Sequence, residues 1–377
     1  MKRLYILCFF IACPIVLLAQ VKVIVNITGL PKKSIAPKDI YLAGSFNLWN
    51  PASKDWMLGN KNFQYSGTFT LPPGNYDYKL TRGTWPTVEC GIAGADIGNR
   101  SLHVIHDTTV LINVTEWKDN YPQTIVRKHT ASKNVHIISG AFNMPQLGKQ
   151  RRVWIYLPTG YQTTKKNYPV IYMHDGQNLF DEYTGNFGEW GVDEFLDSLK
   201  ANQQQFIVIG IDNGESLRMA EYSPYDSKYA KGTGDAYVRF LVETLKPYID
   251  NHYRTLYDAQ HTTIAGSSMG GLISMYAIVK YPKVFGSAGI FSPAFWVNPK
   301  IYDYAKANAT KGLRFYFVCG DMESDKEASD MYKMVDILAA KGFAAKDIPS
   351  TIIKGAKHNE QQWRGDLPGF YKWLVGK

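Results

Sequence analysis

Two hydrophobic grammars divide the chain. Up to about residue 121, apolar positions come in short runs broken by turns. Val21–Thr28 is rich in valine and isoleucine, and Ile40–Ala43 leads into Gly44-Ser45-Phe46-Asn47. Tyr65–Leu71 alternates apolar with polar and stops at Pro72-Pro73-Gly74-Asn75, a turn signature. Tyr76–Thr81, Ser101–His106 and Thr109–Val114 complete the set. Short strands with regular turns predict an all-β, immunoglobulin-like sandwich over 20–121. Residues 122–134 are polar, contain Pro122 and lack apolar periodicity, which predicts a linker.

From Val135 the pattern changes. Strands are predicted at Arg151–Leu157, Val170–His174, Phe206–Ile211, Thr262–Ala265, Ser287–Phe291, Arg314–Val318 and Ser350–Lys354. Helical periodicity falls at Glu189–Leu199, Asp235–Asn251, Gly271–Lys280, Ala328–Lys341 and Leu367–Val375. This alternation predicts an α/β domain over 135–377, with a largely parallel sheet covered on both faces.

The length of 377 residues suits two such domains, and 45% hydrophobic with 20% charged residues excludes a disordered chain. The net charge is +9, but the basic residues are scattered. Their densest clusters, Lys149-Gln150-Arg151-Arg152 and Lys32-Lys33, are short, so no nucleic-acid partner is expected. Lys2 and Arg3 precede an apolar run from Leu4 to Leu18, followed by Ala19. That is the pattern of a secretory signal over 1–19, so a periplasmic or extracellular location is expected. Losing Lys2 and Arg3 with it lowers the charge from +9 to +7. The alternative is a lipobox at Ile11-Ala12-Cys13, with lipid on Cys13. No later segment approaches ~18 uninterrupted apolar residues, so no stable membrane insertion is expected after signal removal. Cys8 and Cys13 fall in the signal. Cys90 and Cys319 remain, with no metal or disulfide spacing, and are expected as free, buried thiols.

The chemistry concentrates at Gly266-Ser267-Ser268-Met269-Gly270-Gly271. A G-x-S-x-G between an apolar strand and a helix is a nucleophile elbow, with Ser268 at its tip. The turn aims the Met269 N–H at a developing oxyanion. Ser268 needs a base, and His358 in Gly355-Ala356-Lys357-His358 is the only histidine after it. The acid should follow the strand ending at Val318, where Gly320-Asp321-Met322-Glu323-Ser324-Asp325 offers three carboxylates. Glu323, three residues past Gly320, is preferred, with Asp321 and Asp325 left open. A second oxyanion donor is expected after Val170–Met173, in His174-Asp175-Gly176-Gln177-Asn178, from the Gln177 N–H. His174 and Asp175 invite a metal reading, but no second ligand cluster supports one. No metal or other cofactor is expected.

Residues from about 135 to 377 resemble the esterase D-like branch of α/β-hydrolases. That branch includes carbohydrate esterases such as feruloyl and acetyl-xylan esterases, and enterochelin-type siderophore esterases. The matching pieces are Tyr172-Met173-His174-Asp175-Gly176-Gln177-Asn178-Leu179-Phe180, the Ser268 motif, Phe291-Ser292-Pro293-Ala294-Phe295-Trp296 and Gly355-Ala356-Lys357-His358. The resemblance implies an α/β-hydrolase fold, sets Glu323 where the triad acid falls, and implies substrate contacts at Arg218, Glu221, Tyr222 and Trp296. The first domain resembles starch-binding modules of the CBM20 type, and more loosely the CBM48 type. It does so through Tyr41-Leu42-Ala43-Gly44-Ser45-Phe46-Asn47-Leu48-Trp49, Tyr76-Asp77-Tyr78-Lys79-Leu80, Val88-Glu89 and Asn99-Arg100. That resemblance implies sugar contacts from Trp49 and Lys79. The family's second tryptophan position is Cys90 here, with Trp85 displaced upstream.

Together these features predict a secreted serine carboxylesterase with a Ser-His-Glu triad, acting on acetyl- or feruloyl-type esters of carbohydrate. Its partners would be that small ester and a glycan at the first domain. A siderophore trilactone esterase is the alternative substrate reading. A glycan-binding protein with an inactive hydrolase scaffold is the alternative class.

Overall fold

The computed structural model describes residues 20–31, 39–47, 49–121, 128–185, 188–324 and 326–376. The signal sequence with Cys13, the Lys32-Lys33 pair, part of the expected linker and Asp325 lie outside the described residues. The chain divides into two units, residues 1–125 and 126–377.

The first unit is built from strands β1 (Val21–Gly29), β2 (Ile40–Gly44), β3 (Met57–Lys61), β4 (Gln64–Leu71), β5 (Gly74–Thr81), β6 (Glu89–Cys90), β7 (Arg100–Val104), β8 (Thr108–Asn113) and β9 (Glu116–Trp117). Seven of them pair in the order β7-β5-β2-β3-β4-β1-β8, and β6 pairs with β9. β3 joins the halves by pairing with both β2 and β4. Alternation turns Val21, Val23 and Val25 inward against Tyr65, Phe69 and Leu71 from β4 and Leu42, Leu80 and Val104 from the other half. Each fully buried side chain of this kind contributes about 1.5–3 kcal/mol. Glu89 is buried, and its carboxylate accepts from Arg100 Nη2 at 2.7 Å and Leu80 N at 2.9 Å, which compensates its desolvation. The expected four-residue turn at Pro72–Asn75 is shorter, because Gly74 and Asn75 already pair with Val104 and His103. β3 escapes the sequence pattern because only Leu58 of its five residues is buried.

The second unit begins earlier than the expected boundary. Residues 128–134 are held by three carboxylates. Asp181 accepts from Thr130 N at 3.1 Å, Glu189 from Thr130 Oγ1 at 2.9 Å, and Asp193 from Ser132 N at 2.7 Å. The strands are β10 (Val135–Met144), β11 (Lys149–Tyr156), β12 (Val170–His174), β13 (Ile207–Ile211), β14 (Thr262–Ser267), β15 (Ser287–Phe291), β16 (Arg314–Gly320) and β17 (Ser350–Ile353). Their order is β10-β11-β13-β12-β14-β15-β16-β17. The β10–β11 and β11–β13 pairs are antiparallel and the rest parallel. This is an α/β-hydrolase-like sheet. β12 to β15 are buried along their whole length, as a sheet covered on both faces requires. Alternate residues feed two cores: Ile264, Ile290 and Phe317 one, Ala265, Phe291 and Val318 the other.

The helices are α1 (Val192–Asp197), α2 (Arg218–Glu221), α3 (Gly234–Phe240), α4 (Lys246–His252), α5 (Met269–Lys280), α6 (Lys300–Asn308), α7 (Glu327–Ala340) and α8 (Glu360–Val375). A π-helical turn, Leu241–Leu245, joins α3 to α4. α2 and α6 have no counterpart in the sequence pattern, and α1 and α8 differ from it in extent. α1 is shorter than Glu189–Leu199, since Gly191 has φ 59° and Glu189 is spent on Thr130. α8 starts at Glu360 rather than Leu367: Asn359 caps it by accepting from Gln362 N at 3.0 Å, and Pro368 lies inside it. β12 connects onward to β13 on one side and β14 to β15 on the other, so the carboxyl ends of β12 and β14 form a topological switch point, the place where open α/β sheets hold ligands.

Candidate active site

β14 ends at Ser267 and α5 begins at Met269, leaving Ser268 as the residue between them. Its backbone has φ 58° and ψ −119°, a conformation costing about 1–3 kcal/mol for a side-chain-bearing residue. Three hydrogen bonds hold it: Ser268 N to Phe291 O at 2.9 Å, Ala294 N to Ser268 O at 3.0 Å, and Leu272 N to Ser268 O at 3.1 Å. A Cβ at Gly266 would stand 2.9 Å from the His174 ring, so the elbow packs this closely only with glycine there. The Ser268 side chain is half-buried.

β15, β16 and β17 follow β14 across the sheet as parallel neighbours, and the loop after each contributes one polar group. Glu323 follows β16 and His358 follows β17. Glu323 Oε2 lies 2.8 Å from His358 Nδ1. Glu323 Oε1 accepts from Gly320 N at 2.5 Å and from Ser292 Oγ at 2.7 Å. The Glu323 side chain is 1% exposed and that of His358 36%. Burial pulls the His358 imidazole down, but the Glu323 hydrogen bond and the charges of Glu327 and Glu323 outweigh it, so its pKa is raised above the ordinary 6.5. Asp321 instead accepts from Gly355 N at 2.6 Å, bracing the turn before His358.

The loop after β12 is a single 3-10 turn, Gly176–Asn178. A Cβ on Gly176 would meet the β13 backbone at 2.8 Å, so the close approach that glycine permits is to the sheet. The N–H groups of Gln177 and Met269 donate to no acceptor among the described residues. Beneath this loop lies a buried polar lock. Asp175 takes Arg218 bidentately, Oδ1 2.6 Å from Nε and Oδ2 2.8 Å from Nη2, and also accepts from Asn213 Nδ2 at 2.7 Å. Burial pushes the Asp175 carboxyl up, and Arg218 and Asn213 more than reverse it. Burial pushes His174 down to about 3, so its imidazole is neutral, with Nδ1 2.8 Å from Tyr237 Oη. Asn178 Nδ2 donates to Glu360 Oε1 at 3.0 Å, and burial pushes that carboxyl up to about 7.

The four side chains expected at the substrate do not share one environment. Glu221 is buried and accepts from Arg151 Nη2 at 2.6 Å, while Tyr222 is fully buried and its Oη accepts from Asp175 N at 3.3 Å. Both side chains expected as substrate contacts are thus buried and engaged with the protein itself. Arg218 keeps 27% of its side chain exposed, with Nη2 3.5 Å from Ser267 O. Trp296, 39% exposed, stands edge-on to Tyr229 at 5.3 Å, one residue beyond the Ala294–Phe295 step that anchors the elbow.

In the first unit, Trp49 and Trp85 are half-exposed, and their rings lie 6.3 Å apart at 38°. Trp49 is held at φ 59° with its N–H on Gly44 O at 2.9 Å. Lys79 Nζ donates to Ile97 O at 2.6 Å and Gly98 O at 3.2 Å, so that ammonium already has protein partners.

Sequence reasoning missed three groups around His358. Glu327 is buried with Oε1 unpartnered, and burial pushes its carboxyl up to about 7. Ligand atoms of Glu323, Glu327 and His358 lie within 4.8 Å of one another. Ser292 and Trp363 also close on the site, since Trp363 Nε1 donates to Ser292 Oγ at 2.8 Å. The capping pattern Asn359-x-x-Gln362 was the signal for the helix that carries Glu360 and Trp363.

A family model described as "Putative esterase" matches residues 145–374. An endo-1,4-beta-xylanase/feruloyl esterase of Xylanibacter ruminicola is 29% identical over 227 residues, covering 58% of this chain and 28% of that protein. An alpha-amylase of Niallia circulans is 45% identical over 95 residues, 24% of this chain and 7% of that protein. Among solved structures, the enterobactin esterase of Shigella flexneri, determined in the presence of enterobactin, has a TM-score of 0.54 at 16% identity, covering 94% of this chain and 92% of that one. At that identity the likeness is one of fold.

Proposed function

The chain belongs to the esterase family and is a carboxylic ester hydrolase, and from that premise we propose a covalent serine mechanism acting on esters of carbohydrate. The observation that carries the mechanism is the 2.8 Å contact of Glu323 with His358, two strands along the parallel sheet from the strained Ser268 elbow. Ser268 Oγ attacks the ester carbonyl carbon while His358 Nε2 takes its proton. Glu323 fixes the tautomer and stabilises the imidazolium. The Met269 and Gln177 N–H groups hold the tetrahedral oxyanion. The C–O bond to the alcohol then breaks, and His358 returns the proton to that leaving oxygen. Water, deprotonated by His358, attacks the acyl-enzyme and releases the acid.

The substrate reading is supported by the likeness to an endo-1,4-beta-xylanase/feruloyl esterase and to an alpha-amylase, and by the paired, half-exposed Trp49 and Trp85. Indole faces of this kind stack on the apolar faces of sugar rings. Lys79 has two of its three ammonium donors on Ile97 O and Gly98 O, which leaves one for a sugar hydroxyl. A siderophore trilactone is the second reading, favoured by 28% identity over 153 residues to an iron(III) enterobactin esterase of Escherichia coli. Family membership sets aside the non-catalytic scaffold. Secretion through residues 1–19 belongs to the proposal, and among the described residues no helix is long and apolar enough to cross a membrane.

Parallel kcat/KM measurements on acetylated or feruloylated oligosaccharides and on a catecholate trilactone test the substrate. A preference of roughly tenfold or more for the carbohydrate esters supports the reading, and the reverse preference replaces it with the second. Starch or glycogen binding by the full chain, lost in Trp49→Ala and in Trp85→Ala, tests the glycan site. Unchanged binding in both variants removes it.

A further inference from the structure

The Phe291-Ser292-Pro293-Ala294-Phe295-Trp296 segment has a role that the chemistry above leaves unused. Ser292 follows β15 in the left-handed region, φ 43°, with its N–H on Val318 O at 2.7 Å. A non-glycine residue is rare there and persists only when its surroundings hold it. Ser292 is fully buried, and its hydroxyl has two partners on opposite sides. It accepts from Trp363 Nε1 at 2.8 Å and donates to Glu323 Oε1 at 2.7 Å. The Trp363 indole in turn meets the His358 ring edge-on, centroids 5.1 Å apart at 84°. His358, Glu323, Ser292 and Trp363 therefore form a closed ring of contacts drawn from four separate elements.

We propose that Ser292 and Trp363 are positioning residues for the reaction, setting the Glu323 carboxylate and the His358 ring as one unit. The inference rests on the triad reading above. The indole N–H commits the serine oxygen as acceptor, so its single proton is directed at Glu323 Oε1. With the Gly320 N–H on the same oxygen, Glu323 Oε1 is fully engaged and Oε2 is left facing His358 Nδ1. The indole edge keeps the imidazole from turning out of that line. A carboxylate with one free rotor would satisfy a fold equally well. Fixing it matters only if the angle of His358 matters.

The test is a set of purified variants, Ser292→Ala, Trp363→Phe and the double variant, beside Ser268→Ala. Each is followed by kcat and KM on p-nitrophenyl acetate, by the pH dependence of kcat/KM, and by the downfield proton resonance of the His358 Nδ1–H. Ser292→Ala should lower kcat about 10- to 100-fold, the span expected for a hydrogen bond to a charged group, with KM changed by less than about twofold. Its acid-limb midpoint should fall, because Glu323, free to turn, holds His358 less squarely while the burial of His358 is unchanged, and the downfield resonance should weaken. Trp363→Phe keeps the ring and removes the donor, so a smaller loss of the same kind is expected. The double variant should lose less than the product of the two single losses, since both act through one contact. If Ser292→Ala or Trp363→Phe folds and keeps kcat, midpoint and resonance while Ser268→Ala is inactive, the inference fails and the triad stands. An active Ser268→Ala would remove the triad reading itself.

Discussion

Glu323 Oε2 sits 2.8 Å from His358 Nδ1, while Asp321, two residues away, has its carboxylate on Gly355 N at 2.6 Å. Neighbouring acids in one loop thus have different tasks. Glu323→Gln keeps the shape but reverses the tautomer preference of His358, and kcat should drop by roughly 10²- to 10⁴-fold. Asp321→Asn should stay within about threefold. Comparable losses in the two variants would contradict the assignment.

The raised pKa of His358 fixes the sign of the pH response. The base acts when neutral, so kcat/KM is fully present above that pKa and is lost as pH falls through it. The acid-limb midpoint should lie above 6.5, the ordinary histidine value. In Glu323→Gln the midpoint should move down, because burial then acts with less opposition. A midpoint at or below 6.5 in the wild type contradicts the pairing as drawn.

Asp175 and Arg218 tie the β12 loop to α2 through two hydrogen bonds of 2.6 and 2.8 Å. A lysine cannot reproduce that fork. Arg218→Lys should cost about 1–3 kcal/mol in urea unfolding, a range discounted for the 27% exposure of Arg218. Unfolding midpoints that coincide with the wild type would show that the lock contributes nothing.

Glu360 gives a stability test of opposite sign to the usual carboxylate. Burial raises it from 4.5 to about 7, so its contribution to stability is fully present below 4.5 and is lost as pH rises toward 7. The loss is on the order of 3 kcal/mol at most. Glu360→Gln retains an acceptor for Asn178 and should flatten the stability profile across that window. Urea melts at mildly acid and mildly alkaline pH check it, and an unaltered slope contradicts it.

Much of this was legible because single positions left little choice. Ser268 lies in a motif between a strand and a helix, and His358 is the only histidine after it. What escaped the sequence was contact between distant segments. Nothing in the spacing shows that Asp175 meets Arg218, or that Glu221 and Tyr222 turn inward to Arg151 and the Asp175 backbone. Trp363 was hidden for a local reason. Pro368 reads as a helix start, whereas the Asn359 cap sets the start at Glu360 and brings the indole over Ser292. In the first unit, β3 was lost among Gly59, Asn60 and Lys61, which face outward.

The central claim is that Ser268 carries the acyl group. Mass spectrometry of the protein treated with an organophosphonate ester probe, alongside p-nitrophenyl acetate hydrolysis, tests it most directly. The account predicts a single adduct on the peptide bearing Ser268, no adduct in Ser268→Ala, and hydrolysis by that variant reduced by roughly 10⁴-fold or more. An adduct on another residue, or hydrolysis unchanged in Ser268→Ala, would contradict it.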